Sequence, residues 1–371
     1  MELMEDGTTI EQQMFAMATE KKVPLYGVLE LLPLCNLNCD MCYVRMSREE
    51  MEEVGRLRTM EEWTKTAEDM MKAGTLFVLL TGGEPLLYPH FRELYQKLRE
   101  LGMIITINTI NTNGTLIDEA WADFFAENKP RRINITLYGA SNETYERLCH
   151  YPGGFDKAVN GIRLLRERNI DVKVNGSLAK ANVDDRMKII ELGESLDAPV
   201  RIDTYMYPSV RERNHAYNNQ ARLDPEMAAK ARVEVLQREM GEEVFAQYRK
   251  IQLDEAENTP EGEAVPGQMA CRAGKSSFVV NWQGEMRSCV VLDKPSIPLR
   301  DVEFEEAWKF TKKETESLRI SARCSSCKLR KVCNTCVAAA IAETGKADGV
   351  PEYLCRYTEA TVRYLKETSK K

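Results

Sequence analysis

The stretch Tyr26-Gly-Val-Leu-Glu-Leu-Leu-Pro-Leu-Cys35-Asn-Leu-Asn-Cys39-Asp-Met-Cys42-Tyr43 decides the reading of this chain. An apolar run, Tyr26–Leu32, predicts a β-strand and leads straight into Cys-x3-Cys-x2-Cys. Three thiolates so close in sequence can wrap one corner of a cubane cluster and leave one iron open to an outside ligand. The competing readings are chance and a zinc site short of its fourth ligand. No histidine follows nearby: the chain has only His90, His150 and His215.

Downstream, further strand candidates recur at Leu76–Thr81, Ile104–Asn108, Ile133–Leu137, Val172–Ser177 and Val200–Tyr205. Helix signals separate them. Thr59-x-x-Glu62 is a capping box, Ser141 can cap the segment through Leu148, and Phe155–Arg168 carries apolar residues at helical spacing. Six βα units in a row predict a parallel sheet. Periodicity alone admits both doubly wound and barrel forms. Asp224-Pro225-Glu226 predicts a helix start, with that helix running to about Glu239. Residues 252–267, rich in Pro, Gly and acids, read as an exposed linker. The expected division is an N-terminal extension (1–23), a barrel (24–240), a linker (241–267) and a separate Cys-rich domain (268–371).

The chain has 371 residues, 43% hydrophobic and 29% charged, with a net charge of −7. That balance argues against nucleic-acid or anionic-membrane binding, which need a basic face. The apolar run near Leu76–Leu80 is too short to span a bilayer, and the first residues lack a secretion signal. A cytoplasmic protein is expected. Eleven cysteines are unusual in a reducing compartment, and clustered thiols there bind metal or do redox chemistry. Seven of them, Cys271, Cys289, Cys324, Cys327, Cys333, Cys336 and Cys355, crowd the last hundred residues. Five residues between Cys324-x2-Cys327 and Cys333-x2-Cys336 is short for a zinc ribbon, which would also leave three cysteines unused. Cys149 stands alone and reads as a small buried residue.

Cys35–Tyr43 resembles the signature of radical S-adenosylmethionine (SAM) enzymes. Thr81-Gly82-Gly83-Glu84-Pro85 after the second strand resembles the family's Gly-Gly-Glu-Pro element, and Thr112-Asn113-Gly114-Thr115 its Thr-Asn-Gly element. The resemblance implies a partial (β/α)6 TIM-like barrel. Cys35, Cys39 and Cys42 would hold a [4Fe–4S] cluster whose open iron binds SAM. Tyr43, Gly82, Gly83, Glu84, Pro85, Asn113, Thr136 and Ser177 would lie along SAM. Two glycines allow close backbone approach to a ligand, and the glutamate can accept from an ammonium. Some relatives reach the SAM carboxylate with an arginine where this chain has Cys149; Arg147 is the nearest substitute.

The C-terminal seven resemble the SPASM extension, a small α+β domain with two auxiliary [4Fe–4S] clusters, three clusters in all. By position, Cys324, Cys327, Cys333 and Cys355 would hold the outer cluster and Cys271, Cys289 and Cys336 the inner one. Phe278–Trp282 with Gln283-Gly284 fits the extension's opening hairpin. Cys333 and Cys336 are two residues apart where three are usual, which leaves the partition open. The implied activity is reductive cleavage of SAM to a 5′-deoxyadenosyl radical that takes hydrogen from a peptide or protein, as in thioether or C–C crosslink formation. The alternatives are a sulfatase-type maturase and an enzyme acting on a small-molecule cofactor precursor such as a tetrapyrrole. Sulfatase-type relatives carry an aspartate just after the extension's second cysteine, where this chain has Val290 and Val291. A non-enzymatic zinc protein would leave the barrel motifs unexplained. The implied partner is a reductant such as flavodoxin or ferredoxin. With no room expected for a leader-recognition domain before Tyr26, either a separate leader-peptide-binding protein presents the substrate, or the leader binds elsewhere, or the substrate bears no leader. Tyr205, Tyr207 and Arg211, after the sixth strand, are candidates to line the mouth.

Overall fold

The computed structural model describes residues 9–103, 107–208 and 221–368; Arg211 lies outside them. Six parallel strands follow one another in the order β6-β5-β4-β3-β2-β1: β1 (Tyr26–Glu30), β2 (Phe77–Thr81), β3 (Ile107–Thr112), β4 (Arg132–Leu137), β5 (Val172–Ser177) and β6 (Val200–Asp203). The order never reverses, as it would in a doubly wound sheet. The chain therefore winds in one direction as a partial barrel. Helix α1 (Ile10–Lys21) precedes the first strand and packs Phe15 and Ala18 beside Leu25 and Phe77. The helices between the strands are α2 (Arg48–Val54), α3 (Met60–Lys72), α4 (Phe91–Glu100), α5 (Glu119–Glu127), α6 (Asn142–Cys149), α7 (Gly154–Glu167) and α8 (Arg186–Ser195).

Local chemistry sets these starts. Thr59 accepts from the Glu62 amide while the Glu62 carboxylate accepts from the Thr59 amide, so the capping box opens α3. Ser141 caps α6 by accepting from the Thr144 amide. β4 and β5 alternate buried with half-buried residues. Their apolar set, Ile133, Ile135, Val172 and Val174, is fully buried under the helices. Burial of each such side chain contributes about 2 kcal/mol.

The described part of the third strand, Ile107–Thr112, continues past the expected end at Asn108; residues 104–106 of the expected strand lie outside the described residues. Its polar residues hide it from an apolar count, yet Asn111 pairs with Asn134 of β4 at 2.8 Å on the concave side. The sixth strand ends at Asp203, and its charged Arg201 and Asp203 protect an open sheet edge.

Two expectations are corrected. Helix α9 spans Pro225–Asn258, broken only at Gly241 (φ 72°), so much of the segment read as linker is helical. Asp224 caps it, accepting from Glu226 and Met227, and its second half packs on α13 (Glu352–Glu367), with Phe245 against Leu365. An acidic surface had masked a narrow apolar stripe. The Cys-rich region is also not a separate body. Strand β7 (Ser277–Val280) pairs in parallel with β1, and β8 (Glu285–Arg287) and β9 (Ser296–Pro298) extend the same sheet antiparallel. The turn before β8 uses Gly284 at φ 83°. Helix α10 (Phe304–Ser317) places Phe304, Ala307 and Trp308 in the barrel's own core. Cys324 lies on the short helix α11 (Ala322–Ser326), Cys327 and Cys336 cap α11 and α12 (Val337–Thr344), and Cys355 lies in the first turn of α13. No described helix is long and apolar enough to cross a membrane.

Candidate active site

Strand β1 ends one residue before the cysteine segment leaves the sheet. Leu31 still donates to Thr81, after which Pro33 turns the chain over the C-terminal ends of the strands. The last carbonyls of a helix lack partners within it. Those of α6 take the cysteine segment: Asn38 donates to the Cys149 carbonyl at 2.9 Å and Asp40 to Leu148 at 3.0 Å. His150 adds a 2.6 Å contact to Asp40. Fully buried Cys149 is thus part of the platform. Arg147 turns away from the site and donates to the Ala181 carbonyl.

The sulfurs face donors. Leu37 N–H points at Cys35 Sγ (3.4 Å), Arg45 N–H at Cys42 Sγ (3.3 Å) and Asn113 Nδ2 at Cys35 Sγ (3.7 Å). Asn113 also donates to Asn36 at 2.9 Å. Burial, reinforced by nearby Glu84, pushes the free Cys35 thiol well above its usual range. A metal that replaces the proton would remove that cost, and the N–H groups are already aimed to support a thiolate.

The Gly82-Gly83 pair works against the chain's own backbone. Gly83 N–H donates to Leu32 and Glu84 N–H to Leu34. A Cβ on Gly82, at φ +141°, would sit 2.5 Å from the Leu32 oxygen. The glycines hold the exit of β2 against the start of the cysteine segment while still lining the cavity.

Glu84 is fully buried and does not line the cavity; neither does Pro85. The Glu84 carboxylate accepts from the Thr112 hydroxyl (2.7 Å), Asn113 N–H (2.9 Å) and Leu86 N–H (3.1 Å). Here it braces the turn that aims Asn113 at Cys35. Burial pushes its pKa up to about 7, opposed by these donors. A carboxyl raised in the fold favours the folded state while protonated, so its contribution is lost as pH rises from about 4.5 to about 7. Urea unfolding should show the wild type losing stability across that window relative to Glu84→Gln. Parallel pH profiles for the two proteins would refute this role.

One cavity of about 570 Å³ joins these parts. Cys35, Cys39, Cys42, Tyr43, Gly82, Gly83, Asn113, Thr136 and Ser177 all line it. Its wall also carries Asn111, Asn134, Lys173, Asn175, Arg201 and Asp203, which the sequence reading did not select. The signal was present: polar residues at alternate positions of strands whose other residues are apolar mark a wet concave face. Among the described residues no three His, Cys, Asp or Glu side chains converge to hold a single metal ion. Cys35, Cys39 and Cys42 nevertheless share one cavity, whose volume of about 570 Å³ leaves room for a larger group beside three thiolates.

The seven C-terminal cysteines separate into two sets. Cys324, Cys327, Cys333 and Cys355 line one small cavity of about 90 Å³. Thr335 lies 3.9 Å from Cys324 Sγ. Cys271, Cys289 and Cys336 line no part of that cavity, and burial raises the Cys289 thiol pKa. Cys336 caps α12, accepting from Ala339 N–H at 3.2 Å. Of the closely spaced pair, Cys333 lines that small cavity and Cys336 does not.

Comparison with known proteins agrees with this layout. Among curated proteins the chain is 25% identical over 329 residues to the AdoMet-dependent heme synthase of Methanosarcina barkeri, covering 85% of this chain and 92% of that one. It is 27% identical over 206 residues to the PqqA peptide cyclase of Rhodopseudomonas palustris, covering 56% and 52%. The solved structure of native anSMEcpe with bound AdoMet shares the fold, with a TM-score of 0.66 at 20% identity, over 94% of this chain and 99% of that one. Residues 29–193 match the model of the Radical SAM superfamily. The cysteine segment and the ends of β1 to β5 thus fall within a radical SAM domain, and the chain is an enzyme.

Proposed function

We propose that the chain binds SAM beside a [4Fe–4S] cluster held by Cys35, Cys39 and Cys42, and takes hydrogen from a peptide or protein substrate. When bound, cluster and SAM supply one-electron hydrogen abstraction. The chain's residues orient and enclose the reactants: Asn113 and the Leu37 and Arg45 amides support the sulfurs, while Tyr43, Gly82, Gly83, Thr136 and Ser177 face the space beside them. Glu84 and Pro85 act from beneath. The observation that carries this reading is the single cavity running from the three cysteines to the polar strand wall. Cys324, Cys327, Cys333 and Cys355 would hold one auxiliary cluster, and Cys271, Cys289 and Cys336 another. A flavodoxin or ferredoxin would supply electrons in the cytoplasm, and a separate protein would present a leader-bearing substrate. The peptide reading draws on the PqqA peptide cyclase relative.

A second reading, a carboxylated tetrapyrrole as substrate, is favoured by a different observation. The heme synthase match spans nearly the whole of that relative, whereas the peptide cyclase match spans about half of its own. Lys173 and Arg201 on the cavity wall would suit carboxylates. The sulfatase-type reading gains nothing from Asp293, which pairs with Arg287 at 3.6 Å.

The test is anaerobic reconstitution followed by SAM turnover with each substrate class. Peptides encoded beside the gene should stimulate 5′-deoxyadenosine release and change in mass, and carboxylated tetrapyrroles should do neither. Stimulation and conversion by the tetrapyrroles alone would replace the first reading with the second.

A further inference from the structure

Just past β6, whose Asp203 lines the large cavity, the chain crosses toward the C-terminal cysteines. Tyr205 and Tyr207 lie there edge to face, with ring centroids 5.1 Å apart. Tyr205 packs on Tyr353 and lies beside Arg222, and its own hydroxyl is buried without a partner. Tyr207 differs: its hydroxyl is 3.7 Å from Cys336 Sγ, within hydrogen-bond reach of sulfur. The same sulfur accepts the Ala339 N–H at the start of α12. Cys336 lies outside the small cavity that Cys324, Cys327, Cys333 and Cys355 line, in keeping with the set with Cys271 and Cys289 proposed above.

We infer that Tyr207 is a positioning residue whose O–H donates to the Cys336 sulfur and raises the reduction potential of a cluster held by Cys271, Cys289 and Cys336. A phenol has an ordinary pKa near 10 and so is a donor at neutral pH. Reduction adds negative charge to a cluster and its thiolates. A hydrogen bond to a ligand sulfur is therefore stronger in the reduced state, which is one of the ways proteins tune such potentials. Tyr207 is neither a catalytic residue nor a ligand here. Its ring follows the last barrel strand and its hydroxyl reaches the C-terminal set.

The inference rests on the auxiliary ligand set proposed above, and the test separates the two. The reconstituted full-length protein is titrated by EPR-monitored redox potentiometry beside Tyr207→Phe, Tyr205→Phe and the triple Cys271/Cys289/Cys336→Ala variant. Tyr207→Phe should keep the parent's iron content and make one cluster about tenfold harder to reduce, a fall of about 59 mV for one electron. Tyr205→Phe, which removes a hydroxyl with no partner, should leave that potential in place. In deuterated buffer the parent's reduced cluster should show an exchangeable deuteron coupling that Tyr207→Phe lacks. This coupling is visible in the parent even if the variant folds poorly. An unchanged potential and coupling in Tyr207→Phe would overturn the inference. So would loss of iron together with a visible absorption band, since that marks a phenolate ligand. If the triple alanine variant keeps the parent's iron, the ligand set itself is wrong and the inference falls with it.

Discussion

Changing Cys35, Cys39 and Cys42 together to alanine should lower the iron of the anaerobically reconstituted protein from about twelve to about eight per chain and abolish SAM cleavage. The three cysteines line the large cavity, while Cys324, Cys327, Cys333 and Cys355 line a separate one. The variant should still fold. The segment is held by backbone bonds to α6 and β2, and the sulfurs accept only a few of its contacts. Eight remaining irons with native-like circular dichroism would support three independent sites. About four irons in the parent, none in the variant, and zinc in the C-terminal part would remove the auxiliary clusters and leave a simpler enzyme.

The second large effect is expected at Gly83. A Cβ there would stand 2.7 Å from the Leu34 carbonyl carbon and 2.9 Å from the Pro33 oxygen. Backbone cannot swing aside as a side-chain tip can, so Gly83→Ala must push the exit of β2 away from the start of the cysteine segment. The Gly83–Leu32 and Glu84–Leu34 bonds that join them would stretch or break. Overpacking of this kind costs roughly 3 kcal/mol. Gly102 supplies the contrast. It has φ +76° but open space around it, so Gly102→Ala carries only the left-handed cost of ~1 kcal/mol. Denaturant midpoints of the two variants test the ranking. Gly83→Ala should also lose about four irons, because Cys35 follows Leu34 directly. Equal destabilisation by both variants, with iron retained in Gly83→Ala, would mean that the close approach does not hold the site together.

The same glycine shows where sequence reading stopped. Two glycines before a glutamate predict close approach to a ligand, and both do line the cavity. What they approach most closely is the chain's own backbone fifty residues earlier. Glu84 is a parallel case. A carboxylate next to a ligand-binding turn invites a partner in the site, but three donors from Thr112, Asn113 and Leu86 engage it below the cavity. Neither fact is local, and no spacing rule carries it.

What the sequence determined by itself is what short-range physics controls. Capping side chains act within three residues, so Thr59, Ser141 and Asp224 were readable as helix starts. Strand alternation acts over two residues, so five of the six barrel strands could be placed within a few positions. Cysteine spacing brings Cys35, Cys39 and Cys42 to one place because the chain between them is too short to do otherwise. Tertiary structure alone decided the rest. Parallel pairing of β7 with β1 joins residues some 250 positions apart and merges the Cys-rich region into the barrel's sheet. The wall of Asn134, Lys173, Asn175 and Arg201 exists only once three strands lie side by side. The contact of Tyr207 with Cys336 spans 129 positions and depends on how α12 packs against the exit of β6. Such contacts form only after the entropy of closing long loops has been overcome by burial of the whole core, so they are properties of the packed chain and of no segment within it.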